Sequence, residues 1–531
     1  MSVYILIGAL IILICLGLNK VSNKVGLPTL LLFIFLGMLF GSDGIFKIPF
    51  EDYVIAEKIC STALIFIMFY GGFGTNWNKA KPVAVKSILL SSLGVILTSL
   101  IVGIFCYYVL KFGFLESMLM GAVISSTDAA SVFSILRYKK LNLKYNTASL
   151  LEIESGSNDP CSNILTIIIL SFMNIQSSDT NILYLIFSQV VYGIILGVII
   201  ALIAGYILSK FKTSTNGFDS IFVFSIALLS YSSAMLIGGN GYLSTYITGI
   251  ILGNKPINNK KSLVNFFDGI TGLMQILIFF LLGLLSFPSQ LPSIFIPALA
   301  ISLFLTFIAR PISIFAILTP FKCSIKQQLL ISWAGLRGAA SIVFAIMATV
   351  SPAYTKNDIF HIVFFIVLFS ISIQGSLIPY MAKKLDMIDN ESDVMKTFSD
   401  YSEEMPVEFI KLLIGKNHPW INKKIKDIEL LPNVLTALII RDGKQIIPKG
   451  DTLILENDIA VLSGPSLDEE PTGHLTEIKI EKDSECIGKN LSQIKFSQDK
   501  LVILIKRNGE AIIPSGKTII EQDDVLIINQ L

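Results

Sequence analysis

Long apolar segments separated by short polar loops fill the chain from its first residues to about residue 382. An α-helix rises about 1.5 Å per residue, so about 20 apolar residues cross the hydrocarbon core of a bilayer. The pattern therefore predicts thirteen membrane-spanning helices. They cover residues 3–19, 28–41, 59–74, 87–110, 114–136, 147–173, 182–209, 219–237, 240–253, 263–286, 291–318, 327–350 and 358–382.

The pattern changes after residue 386, where a polar stretch at 387–404 predicts a linker. Beyond it, short β-branched segments are broken by an Asp-Gly or an Asn-Gly pair, which strongly favours a β-hairpin. Residues 439–462 align with residues 505–528 at an offset of 66, so this part of the chain is an internal repeat. A short helical stretch is expected before each hairpin, at 425–431 and 491–497.

These patterns predict two parts with different folds. The first is an all-α polytopic membrane domain, and the second is an α+β domain made of two tandem repeats. The predicted bounds are 1–386 for the membrane domain, 405–464 for the first repeat and 474–531 for the second.

Composition supports this division. Hydrophobic residues make up 53% of the 531-residue chain and charged residues 15%, whereas an ordinary soluble domain is roughly 25% charged. Residues 1–390 hold 24 Lys and Arg against 15 Asp and Glu, and the remainder holds 17 against 24. These values exclude a soluble enzyme, a disordered chain and a basic nucleic-acid-binding surface. The expected partner of the first part is the lipid bilayer, with no nucleic acid.

Cysteine and histidine are scattered along the chain. The six cysteines form no CxxC pair, so we expect neither a disulfide framework nor a zinc site, and no cofactor. His361, His418 and His474 have no partners at ligand spacing, and each is interpreted as a structural residue. The cysteines are Cys15, Cys60, Cys106, Cys161, Cys323 and Cys486.

Lysine and arginine in the loops predict the orientation, because cytoplasmic loops are enriched in them. Alternate loops, starting after the first span, carry 16 of these residues, and the opposite loops carry 4. The N-terminus is therefore expected outside and the C-terminal tail in the cytoplasm. Thirteen spans also divide into six, a linker helix and six more in inverted orientation, which is a common layout of secondary transporters. In that layout the fifth span corresponds to the twelfth and the sixth to the thirteenth.

Charged residues inside the predicted spans are functional candidates, because charge is costly at bilayer depth. The helical rise places Asp159 roughly 18 Å, Arg337 roughly 15 Å and Asp128 roughly 12 Å from the cytoplasmic surface of a core about 30 Å thick. Pro160 follows Asp159 and lacks an N–H, so we expect it to kink or open the helix and expose carbonyls beside the carboxylate. Such oxygens suit an alkali cation, and the same carboxylate can bind a proton.

Helical periodicity places Glu152, Ser155 and Asp159 on one face and turns Glu154 away from it. The charge of Glu154 therefore needs a partner of its own. Arg337, at matching depth, is the predicted partner, and Arg310 competes for that position. Glu152 lies nearer the cytoplasmic end and is interpreted as a funnel residue.

Two alternatives stay open at this stage. Asp128, after Thr127, could ligate a cation directly or cap a helix that is broken at mid-membrane. Arg310 lies within snorkelling distance of the cytoplasmic side, which favours a structural role for it.

Three motifs resemble those of the NhaP-like transporters, in the sodium/proton exchanger branch of the monovalent cation:proton antiporters. They are SSTDAASVFS at 125–134, LEIESGSNDP at 151–160 and SWAGLRGAASIVFA at 332–345. The resemblance implies a homodimer in a bacterial inner or cytoplasmic membrane, with a six-helix core that moves like an elevator against a dimerisation part. It also implies that the fifth and twelfth spans are unwound and cross at mid-membrane.

The resemblance assigns roles to matching positions in this chain. It makes Asp159, with Asn158 before it, the carrier of the proton and the cation. Thr127 and Asp128 line the site, and Ser155 is a ligand, so that the monovalent cation is held at Asp159, Thr127 and Ser155. The buried glutamate–arginine salt bridge of these relatives falls on Glu154 and Arg337. 

The same relatives suggest which ion is exchanged. Asn158 is similar to the residue found in electroneutral exchangers, and Ala129 after Thr-Asp resembles the potassium/proton antiporters of cell-volume regulation. The resemblance therefore implies electroneutral K⁺/H⁺ exchange, with Na⁺/H⁺ exchange as the alternative.

Each repeat of the tail resembles TrkA-C, the C-terminal subdomain of the RCK modules on potassium channels and transporters. This resemblance implies dimerisation and regulation by a cytoplasmic ligand, for which cyclic di-AMP is a candidate; a tail that only dimerises is the alternative. No GxGxxG motif occurs in the tail, so NAD or ATP sensing is not expected.

Two other functional classes fit the sequence less well. An RCK-gated cation channel would need a selectivity-filter motif such as TVGYG, and an intramembrane enzyme would need an HExxH motif or a paired nucleophile and base. The sequence contains none of these. It predicts a secondary active antiporter, not an enzyme, that exchanges K⁺ or Na⁺ for H⁺.

Overall fold

The computed structural model of the chain forms two compact units, which divide between Glu403 and Glu404. In the first unit it describes residues 2–389 except 26–27, 76, 139–140, 175–180, 211–216, 256, 258–259 and 354. In the second it describes residues 407–530 except 417, 431–433, 442–443, 466–473, 481–483, 485, 495–499, 508–509 and 513.

The long regular elements in the described part of the first unit are all helices. Its helices are α1 (Ser2–Val25), α2 (Thr29–Phe40), α3 (Tyr53–Gly74), α4 (Trp77–Ala80), α5 (Ala84–Leu89), α6 (Val95–Tyr108), α7 (Phe114–Val123), α8 (Ala129–Tyr138), α9 (Thr147–Met173), α10 (Ile182–Lys210), α11 (Phe218–Leu236), α12 (Gly241–Gly253), α13 (Lys260–Leu284), α14 (Leu291–Phe304), α15 (Arg310–Leu318), α16 (Ile325–Trp333), α17 (Ala339–Val350), α18 (Ile359–Phe369) and α19 (Ser376–Lys384). Helix occupies most of each of the thirteen predicted segments, but those at 114–136 and 327–350 are each divided into two helices. Within the described residues, seven helices are long and apolar enough to cross a membrane: Tyr53–Gly74, Ala84–Tyr108, Ile182–Lys210, Phe218–Leu236, Ser262–Leu284, Pro288–Leu318 and Ile359–Lys384.

Three of the long helices contain a π-helical turn. Such turns join α5 to α6, α14 to α15 and α18 to α19, so each pair runs on as one helix. A π-turn shifts the side chains that follow it around the helix axis, and it often occurs near a functional site. The turns are Leu90–Gly94, Leu305–Ala309 and Ser370–Gly375.

Two apolar helices are interrupted instead of continuous. Residues 124–128 separate α7 from α8, and residues 334–338 separate α16 from α17. The two interruptions meet, because the Asp128 N–H donates a hydrogen bond to the Leu336 carbonyl over 2.8 Å. A Cβ at Gly338 would overlap the carboxylate of Asp128, so only glycine fits there. The two interrupted segments are therefore in direct main-chain contact.

The expected opening of the helix at Pro160 is wrong. Helix α9 continues from Thr147 to Met173 with Pro160 in its interior. A proline removes a single amide donor, here the one that would reach the carbonyl of Gly156, while the remaining backbone hydrogen bonds of a 27-residue helix are retained. The interruptions lie between α7 and α8 and between α16 and α17, not in α9.

Close backbone contacts hold the other helices together. A Cβ at Gly37 would overlap the Phe280 carbonyl, and one at Gly283 would overlap the Ile34 carbonyl, so α2 and α13 pack main chain against main chain. Small residues are typical of such interfaces in membranes, where packing rather than hydrophobic transfer drives association.

The second unit contains two four-stranded antiparallel sheets with the same topology. The strand orders are β1-β4-β2-β3 and β5-β8-β6-β7. The strands are β1 (Val407–Leu413), β2 (Leu435–Arg441), β3 (Lys444–Ile446), β4 (Ile459–Pro465), β5 (His474–Lys479), β6 (Lys500–Arg507), β7 (Glu510–Ile512) and β8 (Val525–Gln530). The offset of the sequence repeat carries over to the irregularities, because the pairing shifts at Thr436/Leu438 in one sheet and at Val502/Leu504 in the other.

The helices predicted before the hairpins are much shorter than expected. In the described residues each is a single 3₁₀ turn, Ile425–Asp427 and Leu491–Gln493, and the chain is extended again at Ile428 and Ile494. The described part of this unit is therefore β-structure with 3₁₀ turns rather than α+β. Apolar residues spaced for a helix are satisfied here by packing against the sheet, since Ile425 and Ile428 adjoin its core.

The predicted linker at 387–404 does not begin as a free segment. Leu143 and Ile388 form an antiparallel bridge, the Lys144 N–H donates to the Met387 carbonyl over 2.9 Å, and the Asp389 N–H donates to the Asn142 carbonyl over 2.9 Å. Residues 390–406 lie outside the described part of the chain.

Candidate functional site

Asp159 lies in the interior of α9 and borders a cavity of about 350 Å³. Its side chain is 6% exposed, and within the described residues its Oδ1 has no hydrogen-bond partner. The neighbouring Asn158 is fully buried, and its Oδ1 likewise has no partner there. Buried polar atoms are normally paired, so these two oxygens indicate a site that is completed by something other than the described side chains.

The interruption between α7 and α8 packs against this part of α9. The Ser155 hydroxyl donates to the Thr127 carbonyl over 2.6 Å, and the Asn158 Nδ2 donates to the Thr127 Oγ1 over 2.6 Å. Because donation uses the hydroxyl proton and leaves the lone pairs of the oxygen, Ser155 Oγ keeps acceptor capacity. Thr127, Ser155 and Asp159 all border the cavity, so the structure brings together the three residues predicted to hold the cation.

Asp128 caps the second half of the broken helix. Its Oδ1 accepts from the Ser131 N–H over 3.2 Å, and its Oδ2 accepts from the Ser131 hydroxyl over 2.6 Å. A carboxylate three residues before the amide it binds is the geometry of a helix N-cap. Of the two roles left open by the sequence, capping is the one with direct contacts in the structure, although Asp128 also borders the cavity.

The predicted partner of Glu154 is wrong. Glu154 Oε1 forms a fully buried ion pair with Arg310 Nη2, whereas Arg337 has no carboxylate within salt-bridge distance among the described residues. Arg310 follows the π-turn Leu305–Ala309 and lies beside Gly335, where a Cβ would come 2.7 Å from Arg310 Nε. Depth along the membrane favoured Arg337, but Arg310 at the start of α15 is the arginine whose guanidinium reaches Glu154.

Arg337 joins the two interrupted helices instead of pairing with Glu154. Its Nη1 donates to the Ser126 carbonyl over 2.5 Å, and its N–H donates to Ser370 Oγ over 3.1 Å. The guanidinium is 1% exposed, and its charge lies beside a carbonyl that the interruption of α7 frees from the helix. Arg337 is thus a link between the two broken helices.

The cavity extends from Asp159 along α9 to Glu152, as the funnel interpretation expects. Its lining also includes Asp268, Thr271 and Gln275 of α13, which the sequence analysis did not single out. Asp268 accepts a hydrogen bond of 3.3 Å from the Tyr70 hydroxyl of α3. The signal was present, since Asp268 is the one acidic residue in the sequence of α13.

The histidines and cysteines behave as structural residues where they are described. His361 Nδ1 lies 2.6 Å from Asp358 Oδ2, and its Nε2 accepts from the Phe287 N–H over 3.1 Å, so both ring nitrogens are paired. All six cysteines are unpaired thiols. No group of three or more possible metal-ligating His, Cys, Asp or Glu side chains occurs in the described residues.

A polar cavity beside two interrupted apolar helices is typical of membrane transporters. Comparison with known proteins gives the family. Residues 9–384 match the transmembrane sodium/hydrogen exchanger family, and residues 410–469 and 475–528 match the TrkA-C domain. The chain belongs to the sodium/hydrogen exchanger family. It is a multi-pass membrane cation/proton antiporter with a TrkA-C tail, and not an enzyme.

Individual relatives agree with this assignment. The chain is 32% identical over 468 residues to a K⁺/H⁺ antiporter NhaP2 of Shewanella sp. strain ANA-3, covering 87% of this chain and 81% of the relative. It is 32% identical over 463 residues to a K⁺/H⁺ antiporter NhaP of Alkalimonas amylolytica, covering 86% and 80%. The solved sodium proton antiporter MjNhaP1 of Methanocaldococcus jannaschii matches with a TM-score of 0.64 and 26% identity, covering 72% of this chain and 99% of that structure.

Proposed function

We propose that this antiporter exchanges K⁺ for H⁺ one for one through Asp159. The observation that carries the proposal is the buried Asp159 Oδ1, which borders the cavity without a partner in the described residues. An isolated buried carboxylate is very costly unless it binds a proton or a cation. If the site can cross the membrane only when it is neutral, competition between the two ligands couples their movements.

The proposed cation ligands are Asp159, Ser155 and Thr127. Asp159 supplies the charge, and the oxygens of Ser155 and Thr127 lie on the same cavity wall. Asn158 orients Thr127 through the hydrogen bond between their side chains. Asp128 contributes mainly by capping α8, and Glu154 of α9 forms an ion pair with Arg310 at the start of α15.

K⁺ is preferred to Na⁺ as the transported cation for two reasons. The two relatives at 32% identity that cover most of the chain are named K⁺/H⁺ antiporters, whereas the more distant MjNhaP1 is named a sodium proton antiporter. Ala129 follows Thr-Asp in this chain, as it does in the potassium/proton antiporters that the sequence resembles. Asn158, in place of a second carboxylate, supports electroneutral stoichiometry.

We infer that the transport domain has thirteen spans in two inverted repeats and moves like an elevator. A pair of contacts supports the repeat. On α9 of the sixth span, Ser155 binds the main chain of the fifth span at Thr127, and on the thirteenth span Ser370 binds the main chain of the twelfth at Arg337. Both interruptions are thus supported by a hydroxyl on the following span.

The remaining parts of the proposal concern orientation and assembly. The positive loops support an external N-terminus and a cytoplasmic tail, in which case the cavity at Glu152 opens to the cytoplasm. The proposed domains are 1–386, a linker at 387–404 and two tail repeats at 405–464 and 474–531, and the two TrkA-C matches support the repeats. The protein is proposed to be a homodimer whose tail is regulated by a ligand, with cyclic di-AMP as the candidate and dimerisation alone as the alternative.

Exchange in proteoliposomes tests the proposal. The dissipation of an imposed pH gradient is measured on addition of K⁺, Na⁺ or Li⁺, with the parent and Asp159→Asn. We expect K⁺ to dissipate the gradient most effectively, Asp159→Asn to abolish the response, and a potential-sensitive dye to report no net charge movement. Glu51→Gln is the matched control, because it removes a carboxylate that does not border the cavity.

The outcomes separate the parts of the proposal. Activity in Asp159→Asn equal to that of the parent would exclude Asp159 as the carrier. A response to Na⁺ and not to K⁺ would overturn the ion assignment alone, and a membrane potential that develops during exchange would overturn the stoichiometry alone.

A further inference from the structure

Helix α13 presents a row of polar side chains to the cavity. Asp268, Thr271 and Gln275 follow one another at spacings of three and four residues, so they share one face of the helix, and all three border the cavity. The remaining residues of α13 towards its C-terminal end are almost entirely apolar, as expected of a helix in contact with lipid and neighbouring helices. Polar residues on one face of a membrane helix indicate a path for a polar substrate.

Thr271 lacks the partner that its burial requires. Its side chain is 9% exposed, and within the described residues its Oγ1 has no hydrogen-bond partner. A threonine in a helix commonly satisfies itself by donating to the carbonyl four residues earlier, as Thr245 does to Gly241 and Thr166 does to Ser162. Thr271 instead borders the cavity with its oxygen unpaired, which indicates that the cavity contents supply its partner.

Residues of α9 that line the same cavity form a second row. Glu152, Gly156 and Asp159 are spaced by four and three residues and border the same cavity. In the proposed orientation both helices start at the cytoplasmic side, so Glu152 and Asp268 lie at the mouth. Asp159 lies seven residues, or about 10 Å, deeper. Gly272 carries no side chain between Asp268 and Gln275 and faces open space, which leaves room for a hydrated ion, and Phe279 also borders the cavity.

The two rows belong to different groups of helices. Helix α13 packs mainly against α2 and α3, whereas α9 packs mainly against α7 and α5. The hydroxyl that binds Asp268 also comes from this first group, from Tyr70 of α3. A cation bound between the rows would therefore contact one group that carries Asp159 and another that does not.

We infer that Asp268, Thr271 and Gln275 form a second, transient binding position for the monovalent cation on its way to Asp159. Asp268 attracts the cation at the mouth, and the oxygens of Thr271 and Gln275 replace part of its hydration shell next to Asp159. The cavity of about 350 Å³ far exceeds the roughly 10–15 Å³ of probe-occupied volume that one water needs, so the cation keeps other waters there. This inference rests on the proposed function, and it places the position on the cytoplasmic side alone.

Sided transport measurements test this position. Exchange is recorded in everted membrane vesicles, which present the cytoplasmic face to the added K⁺, and in right-side-out vesicles, which present the opposite face. We expect Asp268→Asn and Thr271→Val each to raise the half-saturating K⁺ concentration about three- to tenfold in everted vesicles, with the maximal rate within about twofold of the parent. In right-side-out vesicles the half-saturating concentration should stay at the parent value.

Conservative variants separate this role from a structural one. Thr271→Ser and Asp268→Glu keep the hydroxyl and the charge, so they should restore the parent value in everted vesicles. Thr245→Val and Glu51→Gln are the matched controls, since they remove a buried hydroxyl and a carboxylate away from the cavity. An unchanged half-saturating concentration in Asp268→Asn and Thr271→Val, or an equal rise from both sides, would overturn the inference. These outcomes leave the proposed function intact, which is lost only if Asp159→Asn retains exchange.

Discussion

At the scale of single residues, the buried charges around α9 are arranged by contact and not by depth. Glu154 and Arg310 are almost fully buried and face each other, while Arg337 binds the carbonyl of Ser126. An ion pair of this kind is expensive to break, because removal of one member leaves the other charged and buried. The effect of Glu154 on the stability of the protein should therefore depend on Arg310 more than on Arg337.

A double-mutant cycle checks this pairing. Arg310→Gln should destabilise the protein by about 3–5 kcal/mol, because Glu154 is left buried and unpaired. Combining it with Glu154→Gln should recover much of that loss, since neither partner is then charged. The measurement is thermal unfolding of the purified protein in detergent. If Glu154→Gln compensated Arg337→Gln and not Arg310→Gln, the pairing seen in the structure would be incorrect.

At the scale of elements, each of the two tail repeats contains an arginine–aspartate ion pair at the equivalent position. Arg441 binds Asp458 through Nε and Nη2 at 2.8 Å, and Arg507 binds Asp524 with the same atoms at the same distances. In each repeat the pair joins the end of the second strand, β2 or β6, to the turn before the last strand, β4 or β8. Both aspartates are fully buried, so each repeat is stabilised by an ion pair of its own.

The pair makes the tail sensitive to acid. The Arg441 hydrogen bond lowers the pKa of Asp458, and the Arg507 hydrogen bond lowers the pKa of Asp524. A carboxyl whose pKa is lowered in the folded state stabilises that state above the unfolded pKa of about 4, and the stabilisation is lost as the pH falls through the lowered value. Replacing Asp by Asn should imitate this loss at neutral pH.

Hydrogen–deuterium exchange of the full-length protein measures the effect repeat by repeat. Asp458→Asn should speed exchange in β2 and β4, by an amount that corresponds to about 1–3 kcal/mol, because Arg441 loses its charged partner. Asp524→Asn should do the same in β6 and β8. Each variant is the control for the other, since the unmodified repeat should exchange as in the parent. Equal acceleration of exchange in both repeats by either variant would show that the two ion pairs do not stabilise their repeats independently.

At the scale of the whole molecule, the end of the transport unit is fastened to the loop between α8 and α9. Met387, Ile388 and Asp389 pair with residues 142–144, and Lys144 Nζ lies 3.1 Å from Asp386 Oδ1. That loop joins the helix capped by Asp128 to the helix that carries Asp159. The first residues after the last helix, which lead towards the tail, are thus connected to both helices of the site.

This connection predicts how a tail signal reaches the site. The Lys144–Asp386 pair is largely exposed and contributes little, so the main-chain hydrogen bonds are the ones to remove. Asp389→Pro deletes one donor, and we expect it to give the full-length chain the pH–rate profile of a chain truncated after residue 389. Exchange in proteoliposomes measures both profiles.

Lys326→Ala is the control for this experiment. Lys326 reaches Asp386 only at 3.7 Å and makes an exposed contact, so its removal should leave the profile unchanged. A truncated chain that differs from the parent while Asp389→Pro does not would contradict transmission through this pairing.

Some features were determined by the sequence alone. Runs of apolar residues locate the helices, because hydrophobic burial depends on composition within one segment, although two of the predicted spans are interrupted. The repeat in the tail predicted two similar units that each contain a β-hairpin, since turns and strand alternation are local, and each unit contains a four-stranded sheet. The motifs around Thr127, Ser155 and Asp159 fixed the family, and the fold then brought these three residues to one cavity.

Other features were decided by the tertiary structure. The choice of Arg310 for Glu154, the hydrogen bond from Arg337 to Ser126 and the lining of one cavity by both α9 and α13 all depend on which segments lie side by side. Depth and helical periodicity give the height of a residue and the direction of its side chain about its own helix. They carry no information about the neighbouring helix, because that is set by packing between segments that are more than a hundred residues apart in the chain.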